Sequence, residues 1–332
     1  MSNIEMFSLD KMSSDKNPSD TVDSIVGELN HLKESPPFIV ISETVDKYSK
    51  FVMPTLWSNY FSSDSVQYDI IYEARFDDLI KIESAKDTLH NISVVINKGP
   101  IQKNRKTEIL RHYLPIEISS NARILPYDPA NSFELLTIIS MALKVNNNSC
   151  IIYASAHDDI EKIPKSNVVV CEDDVMNGLY LYRRAESNMK TGRILAGGRS
   201  LLFAIKMSEW LKDNIGLLFE VWSCPSYTIV SREVEMTEQK NIYSEGGEVG
   251  NPHVIKSLND GLITIAMTQY DSLISEQISK NFYNGFLALG FVKSWEGKEK
   301  NEVISRILYH LMRNEFLSKE AFRKAMISIE IK

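Results

Sequence analysis

The chain has 332 residues, of which 43% are hydrophobic and 24% charged, which is typical of a soluble globular protein with room for two domains. Its formal net charge of -7 gives no electrostatic footprint for nucleic acid, so a DNA-binding or RNA-binding role is excluded. No apolar run reaches the roughly 20 residues that a membrane span requires, and the amino-terminal residues do not have the pattern of a secretory signal.

Three scattered cysteines, Cys150, Cys171 and Cys224, have neither a disulfide pattern nor metal-ligand spacing. They predict a reduced, cytoplasmic protein without a metal site of its own.

The front part of the chain alternates between strand and helix signals. Residues 1–19 are polar and predict a disordered tail. The apolar run from Phe38 to Ser42 predicts a buried strand, and a helical stretch follows from Glu43. Further strands are predicted at 68–72, 92–96, 150–154 and 167–171, with helices near 77–88 and 132–145 and a basic loop at 98–111. This alternation predicts an α/β fold, with a first domain over 20–175.

The most informative stretch begins at Ile194-Leu-Ala-Gly-Gly-Arg-Ser and ends at Ser223. It predicts a strand, a glycine turn, a helix over 201–212 that stops at Gly216, and a second strand. The helix is expected to bury the apolar side chains Leu201, Leu202, Ile205, Trp210 and Leu211. Two buried strands joined by a helix predict a right-handed crossover in a parallel sheet.

The pair Gly197 and Gly198 has two interpretations. Free amides at the start of a helix can bind a phosphate, but they are present whether or not a ligand uses them. The pattern favours a structural turn. Further strands at 262–268 and 286–289 complete a second domain over 176–332.

Four segments, taken in chain order, resemble the decarboxylating component of the pyruvate dehydrogenase complex, a thiamine diphosphate-dependent family related to transketolases. They are Ile124-Leu-Pro-Tyr-Asp-Pro-Ala-Asn-Ser-Phe-Glu-Leu, Gly178-Leu-Tyr-Leu-Tyr-Arg, Trp222-Ser-Cys-Pro-Ser-Tyr-Thr, and Arg306-Ile-Leu-Tyr-His-Leu-Met-Arg-Asn-Glu-Phe-Leu-Ser-Lys-Glu-Ala-Phe. The last is similar to the family's closing pair of helices. The resemblance runs from about Tyr72 to the carboxyl terminus, and it implies a truncated pyrimidine-binding-like domain followed by a transketolase C-terminal-like domain.

The family holds its cofactor's diphosphate through Mg²⁺ with a Gly-Asp-Gly signature, which does not occur in this sequence. The nearest pattern, Asn259-Asp260-Gly261, precedes a predicted strand and is interpreted as a turn. The resemblance therefore implies that a separate α-like subunit holds the diphosphate and Mg²⁺, and that this chain does not bind them alone.

Two residues are candidates for the chemistry that the resemblance implies. Glu43, in Ile41-Ser42-Glu43, is similar to the family's glutamate, which accepts a hydrogen bond from the pyrimidine ring of thiamine diphosphate. Glu43 also fits the family's other glutamate, at the end of its first strand, and it fits a helix-opening residue placed there by the helix dipole. His112 is near the position of the family's active-site histidine loop, but the surrounding glycine and second histidine are absent, and a solvated loop residue is the alternative.

Two hypotheses of function follow from the resemblance. The chain is a β-like subunit of a split enzyme that decarboxylates a 2-oxoacid and transfers the acyl group to a lipoyl, carrier-protein or carbonyl acceptor, or it is a noncatalytic scaffold from the same family. The aromatic residues Phe282, Tyr283 and Phe286 are expected in the core or at an interface, and the C-terminal domain is expected to form a homodimer.

Overall fold

Short apolar runs form the strands of two separate sheets in the computed structural model. It describes residues 38–42, 69–74, 92–97, 116, 124–144, 151–155, 163–187, 190–244, 250–258, 260–292 and 295–330. Glu43, His112, the tail at 1–19, the helices predicted from Glu43 and at 77–88, and the loop at 98–111 lie outside these residues. Contacts divide the chain into two units, Met1–Lys162 and Ile163–Lys332.

The first sheet has five parallel strands in the order β1-β2-β3-β5-β4. Their bounds are β1 Phe38–Ser42, β2 Asp69–Ala74, β3 Ile92–Asn97, β4 Ile124–Tyr127 and β5 Ile151–Ser155. Helix α1, Ser132–Lys144, connects β4 to β5 and packs on β3 and β5, with Leu135 and Ile138 fully buried. The predicted strands before residue 160 and the helix at 132–145 are thus confirmed to within two residues.

The second sheet has the order β10-β9-β7-β8-β6. Its strands are β6 Tyr180–Arg183, β7 Gly192–Ala196, β8 Phe219–Ser223, β9 Ile263–Met267 and β10 Phe286–Leu289. Strand β6 is antiparallel to β8, and the other pairs are parallel. Every residue of β7, β8 and β9 is buried, because these strands lie inside the sheet and have covered faces. Both units are therefore α/β, as predicted.

The predicted strand, turn, helix and strand between residues 192 and 223 are confirmed. Helix α3, Ser200–Ile215, ends at Gly216, whose φ of 77° is left-handed and whose N–H donates to the Lys212 carbonyl at 2.9 Å. The buried face differs from the expected one. Leu202 and Trp210 are only partly buried, whereas Phe203 and Met207 are in the core.

The remaining helices surround the second sheet. They are α2 Glu172–Met176, α4 Tyr227–Tyr243, α5 His253–Leu258, α6 Leu273–Glu276, α7 Gly297–Arg313 and α8 Lys319–Glu330, with a 3₁₀ turn at Ser279–Asn281. Helices α7 and α8 pack on each other and are the expected closing pair. None of the helices in the described ranges is long and apolar enough to span a membrane.

The strand predicted at 167–171 is wrong. The hydroxyl of Ser166 accepts the Val168 N–H at 3.1 Å and donates to the Tyr182 carbonyl at 2.7 Å, which folds the backbone into a bend. Val169 is 98% exposed, so this valine run has no buried face to pair with a sheet. The Tyr182 hydroxyl donates to the Pro164 carbonyl at 2.6 Å. These contacts join 163–170 to the second unit.

Candidate functional site

The carboxyl ends of all five strands of the first sheet meet at one edge, because the strands are parallel. Ligands of open α/β sheets bind outside this edge. The strands end there at Ser42, Ala74, Asn97, Tyr127 and Ser155. This edge is the candidate site of the first unit.

The two predicted site residues can be compared with this edge only by their positions in the sequence. Glu43 is the residue after β1, and both Glu43 and His112 lie outside the described residues. Strands β1 and β4 are the two outer strands, so the ends of β1 and β4 are four strand spacings apart, or about 19 Å. The end of β1 is therefore far from the corner that follows β4.

The corner after β4 contains the Tyr-Asp-Pro motif. Tyr127 is 3% exposed, and burial raises the pKa of its phenol above the ordinary value of 10.0. The phenol is therefore neutral at pH 7. Asp128 follows at the edge and is partly exposed. A partly exposed carboxylate beside a buried neutral phenol is a polar group that a ligand at this edge can reach.

A pair of side chains fixes the turn from this corner into α1. The Asn131 side-chain oxygen accepts the Glu134 N–H at 3.0 Å, and Glu134 Oε2 accepts the Ala130 N–H at 2.5 Å. The Glu134 side chain is fully buried at the start of α1. Sequence reasoning missed Glu134, although Asn131-x-x-Glu134 is a capping-box signature.

In the second sheet, the corresponding edge is filled by protein. The chain leaves β7 toward β8 and leaves β9 toward β10, so the crevice where ligands usually bind lies between β7 and β9. The Tyr227 hydroxyl lies 3.0 Å from the Leu195 carbonyl oxygen and 3.0 Å from the Met267 carbonyl oxygen. Tyr227 is 3% exposed, and its phenol occupies this crevice.

The glycine turn after β7 is also covered. Gly197 and Gly198 are buried, and Gly198 has a left-handed φ of 52°. The Ser200 hydroxyl donates to the Val292 carbonyl at 2.7 Å, which ties the start of α3 to the loop after β10. These contacts support the structural interpretation of the glycine pair.

A charged network lies at the opposite, amino edge of the second sheet. Arg193 on β7 is 1% exposed, is paired with Asp260, and donates from Nη1 to the Leu258 carbonyl at 2.8 Å. Lys190 Nζ lies 2.9 Å from Glu220 Oε2 and 3.2 Å from Asp260 Oδ2. Burial lowers the pKa of Arg193 to about 10, so the guanidinium remains charged at pH 7. We interpret this network as structural.

The turn at Asp260 and Gly261 lies at this edge. Gly261 has a left-handed φ of 69°, and Leu262 N–H donates to the Asp260 side chain at 3.3 Å, so the predicted turn before β9 is confirmed. The ion pair that Asp260 makes with Arg193 was missed. Nothing in the local sequence indicates this ion pair, because Arg193 lies on β7 and Asp260 lies in the turn before β9.

Cys224 and Ser226 follow the end of β8. The Ser226 hydroxyl accepts the Ile229 N–H at 3.1 Å and caps α4. Cys224 is a buried free thiol. Within the described residues, no group of three or more His, Cys, Asp or Glu side chains is placed to hold a metal ion.

Sequence comparison relates the chain to one kind of protein. No family model matches it. It is 26% identical over 178 residues to the pyruvate dehydrogenase E1 component of Mycolicibacterium smegmatis, which covers 52% of this chain and 19% of that protein. It is 26% identical over 172 residues to the corresponding protein of Cupriavidus necator, which covers 50% of this chain and 19% of that protein. The match spans about a fifth of the length of these curated relatives.

Structural comparison finds transketolases. The transketolase of Campylobacter jejuni superposes with a TM-score of 0.54 at 14% identity, over 94% of this chain and 46% of that chain. A split gene transketolase described as an inactive beta4 tetramer superposes with a TM-score of 0.51 at 10% identity, over 93% of this chain and 98% of that chain. The chain thus has the fold of transketolases and is similar in sequence to pyruvate dehydrogenase E1 components, which confirms its resemblance to the thiamine diphosphate-dependent transketolase-like family.

Proposed function

We propose that this chain is the β-like part of a split, thiamine diphosphate-dependent enzyme of the cytoplasm. The enzyme decarboxylates a 2-oxoacid such as pyruvate and transfers the acyl group to a lipoyl, carrier-protein or carbonyl acceptor. In this proposal, 20–175 is a truncated pyrimidine-binding-like domain and 176–332 is a transketolase C-terminal-like domain.

The superposition on a split transketolase chain carries this proposal. It covers 93% of this chain and 98% of that one, so the fold of this chain is similar to that of a split chain over most of its residues. The longer transketolase of Campylobacter jejuni is matched over only 46% of its length. The sequence similarity to pyruvate dehydrogenase E1 components supports a 2-oxoacid as the substrate class.

The described residues do not fit the diphosphate end of the cofactor. They contain no group of three or more side chains that could hold Mg²⁺, and the whole sequence lacks Gly-Asp-Gly. A diphosphate with its metal requires oxygen ligands and charge-assisted contacts. We therefore assign the diphosphate and Mg²⁺ to a separate α-like subunit. Glu43 and His112 are this chain's proposed contributions, with Glu43 toward the pyrimidine ring.

Calorimetric titration of the purified chain with thiamine diphosphate and Mg²⁺ tests the first half of the proposal. We expect no measurable binding. Tight one-to-one binding by the chain alone would contradict the split-enzyme assignment.

Reconstitution tests the second half. The chain is coexpressed with the polypeptide of its source organism that carries a Gly-Asp-Gly domain, and pyruvate-dependent reduction of ferricyanide is measured. We expect cofactor binding and turnover only when both chains are present. A stable complex that binds the cofactor but has no activity with any 2-oxoacid would favour the noncatalytic scaffold.

A further inference from the structure

A pocket of about 390 Å³ lies between β10 and the carboxyl half of α7. We call it the basic pocket. Its lining consists of Leu287, Arg306, Tyr309, His310, Arg313 and Asn314. The volume lies in the range of small-molecule sites. Leu287 is the second of the four residues of β10, which is an outer strand of the second sheet.

Two arginines supply the charge of the basic pocket. Arg306, His310 and Arg313 follow one another at spacings of four and three residues, so they share one face of α7. Both arginines are exposed, and neither forms an ion pair with any described residue. In a chain with a net charge of -7, two neighbouring arginines without carboxylate partners form a local positive site.

The end of α7 does not neutralise this charge. A helix carboxyl terminus carries about half a negative charge, which favours a cation in the last turn and helps to account for Arg313. The two full positive charges of Arg306 and Arg313 exceed this half negative charge. Glu302 lies four residues before Arg306 on the same helix, yet the two side chains are not paired.

The other lining residues provide an apolar surface and hydrogen-bonding groups. Tyr309 is 51% exposed, and its ring meets the Phe322 ring edge-on with centroids 6.4 Å apart, which holds the ring in place. With Leu287 it offers an apolar surface. Burial lowers the pKa of His310 from 6.5, so at pH 7 its ring provides a hydrogen-bonding group and not a third charge. The Asn314 side chain is fixed by donation to the His310 carbonyl at 2.9 Å.

We propose that the basic pocket binds a small organic anion, with a phosphate or carboxylate group held between Arg306 and Arg313 and its organic portion on Leu287 and Tyr309. Arginine suits this chemistry because its planar guanidinium matches both kinds of anion. All six lining residues belong to the second unit.

Isothermal titration of the full chain with AMP, pyrophosphate and citrate tests the proposal and separates phosphate from carboxylate ligands. We expect saturable one-to-one binding of at least one probe. The double variant Arg306→Gln/Arg313→Gln should weaken that binding by about 100-fold, since each of the two charge-assisted contacts is worth roughly a factor of ten. Raising the salt from about 0.05 M to about 0.2 M should also weaken it.

Arg323→Gln is the matched control, because Arg323 is an exposed arginine on α8 outside the pocket lining. It should leave binding unchanged. Melting curves of all variants show whether they are folded, and the single variant Arg313→Gln repeats the test with one change. The proposal is overturned if none of the three probes binds the wild-type chain, or if Arg323→Gln weakens binding as much as the double variant.

Discussion

Asp260, in the turn before β9, is paired with the buried guanidinium of Arg193 on β7. Removing the carboxylate leaves a positive charge in the interior with less compensation, and this costs more than the loss of a surface pair. Asp260 itself is 36% exposed, so solvent reduces the effect. We expect Asp260→Asn to lower the free energy of unfolding by about 2 kcal/mol, between the ranges for surface and buried pairs.

Urea unfolding measures this change, and Glu238→Gln provides its control. Glu238 pairs with Lys280 at 3.5 Å, and both side chains are about half exposed. Its loss should change stability by less than about 0.5 kcal/mol. Equal effects of the two substitutions would show that the Arg193 pair is no stronger than a surface contact.

Gly290 is the second position where a small change should matter. A methyl group at Gly290 would overlap the Ser272 backbone nitrogen and lie 2.8 Å from the Tyr270 carbonyl oxygen. Because both atoms belong to the backbone, Gly290→Ala should destabilise the chain by about 2 kcal/mol or more. Gly250→Ala is the control, since its nearest neighbour would be Thr237 Cγ2 at an ordinary 3.7 Å. Thermal melting should separate the two variants clearly, and similar melting temperatures would contradict this packing.

His310 gives the chain a pH dependence of known sign. Burial lowers its pKa below the ordinary value of 6.5, so the unfolded chain binds a proton at a higher pH than the native chain. Its contribution to stability is complete above pH 6.5 and is lost as the pH falls toward the native pKa. We expect His310→Gln to flatten the fall in unfolding free energy below pH 6.5. Parallel pH profiles for variant and wild type would rule out this contribution.

Glu43→Gln tests the proposed pyrimidine contact in the reconstituted enzyme. The substitution keeps the size of the side chain and removes the carboxylate, so turnover should fall by about 100-fold or more while the two chains still assemble. His112→Gln should lower turnover as well if this residue transfers protons. Glu235→Gln, at an exposed position on α4, is the control and should be as active as wild type. Full activity of Glu43→Gln would favour a first-turn residue at this position.

Self-association is expected to involve the aromatic residues Phe282, Tyr283 and Phe286, just before and at the start of β10. The Phe282 and Phe286 rings are stacked with centroids 5.1 Å apart, and the neighbouring Tyr283 side chain is 94% exposed. An exposed tyrosine beside a fixed aromatic pair is typical of an interface anchor. We expect a dimer by light scattering, and Tyr283→Asp should weaken it by about tenfold or more. Tyr243→Asp, at an 82% exposed position, should not. A wild-type chain that is monomeric would contradict the expected role of these aromatic residues in self-association.

Elements with strong local signals could be predicted from the sequence. The crossover from β7 to β8 has buried strands and a helix that ends at a left-handed glycine, Gly216, so its apolar pattern and its stop signal agree. Strand β6 was not predicted, although its burial alternates along Tyr180–Arg183. Helix α4 was also missed, because a Ser226 cap is a weak signal without a regular apolar stripe.

Features that depend on distant partners could not be predicted. The valines after Ser166 have a strand composition, but the Ser166 hydroxyl bends the backbone and Val169 is exposed instead of packed in a sheet. Likewise, Asp260 was correctly placed in a turn, whereas its pairing with Arg193 depends on the adjacency of β7 and β9. The basic pocket depends in the same way on α7 lying against β10.

The phenol of Tyr227 fills the crevice between β7 and β9. Its hydroxyl lies 3.0 Å from the Leu195 carbonyl oxygen near the end of β7 and 3.0 Å from the Met267 carbonyl oxygen at the end of β9, and Tyr227 is the first residue of α4. A ligand could enter this crevice only if the Tyr227 side chain left it. We therefore expect the chemistry of the proposed enzyme to lie in the first unit and the α-like chain, and not in this crevice.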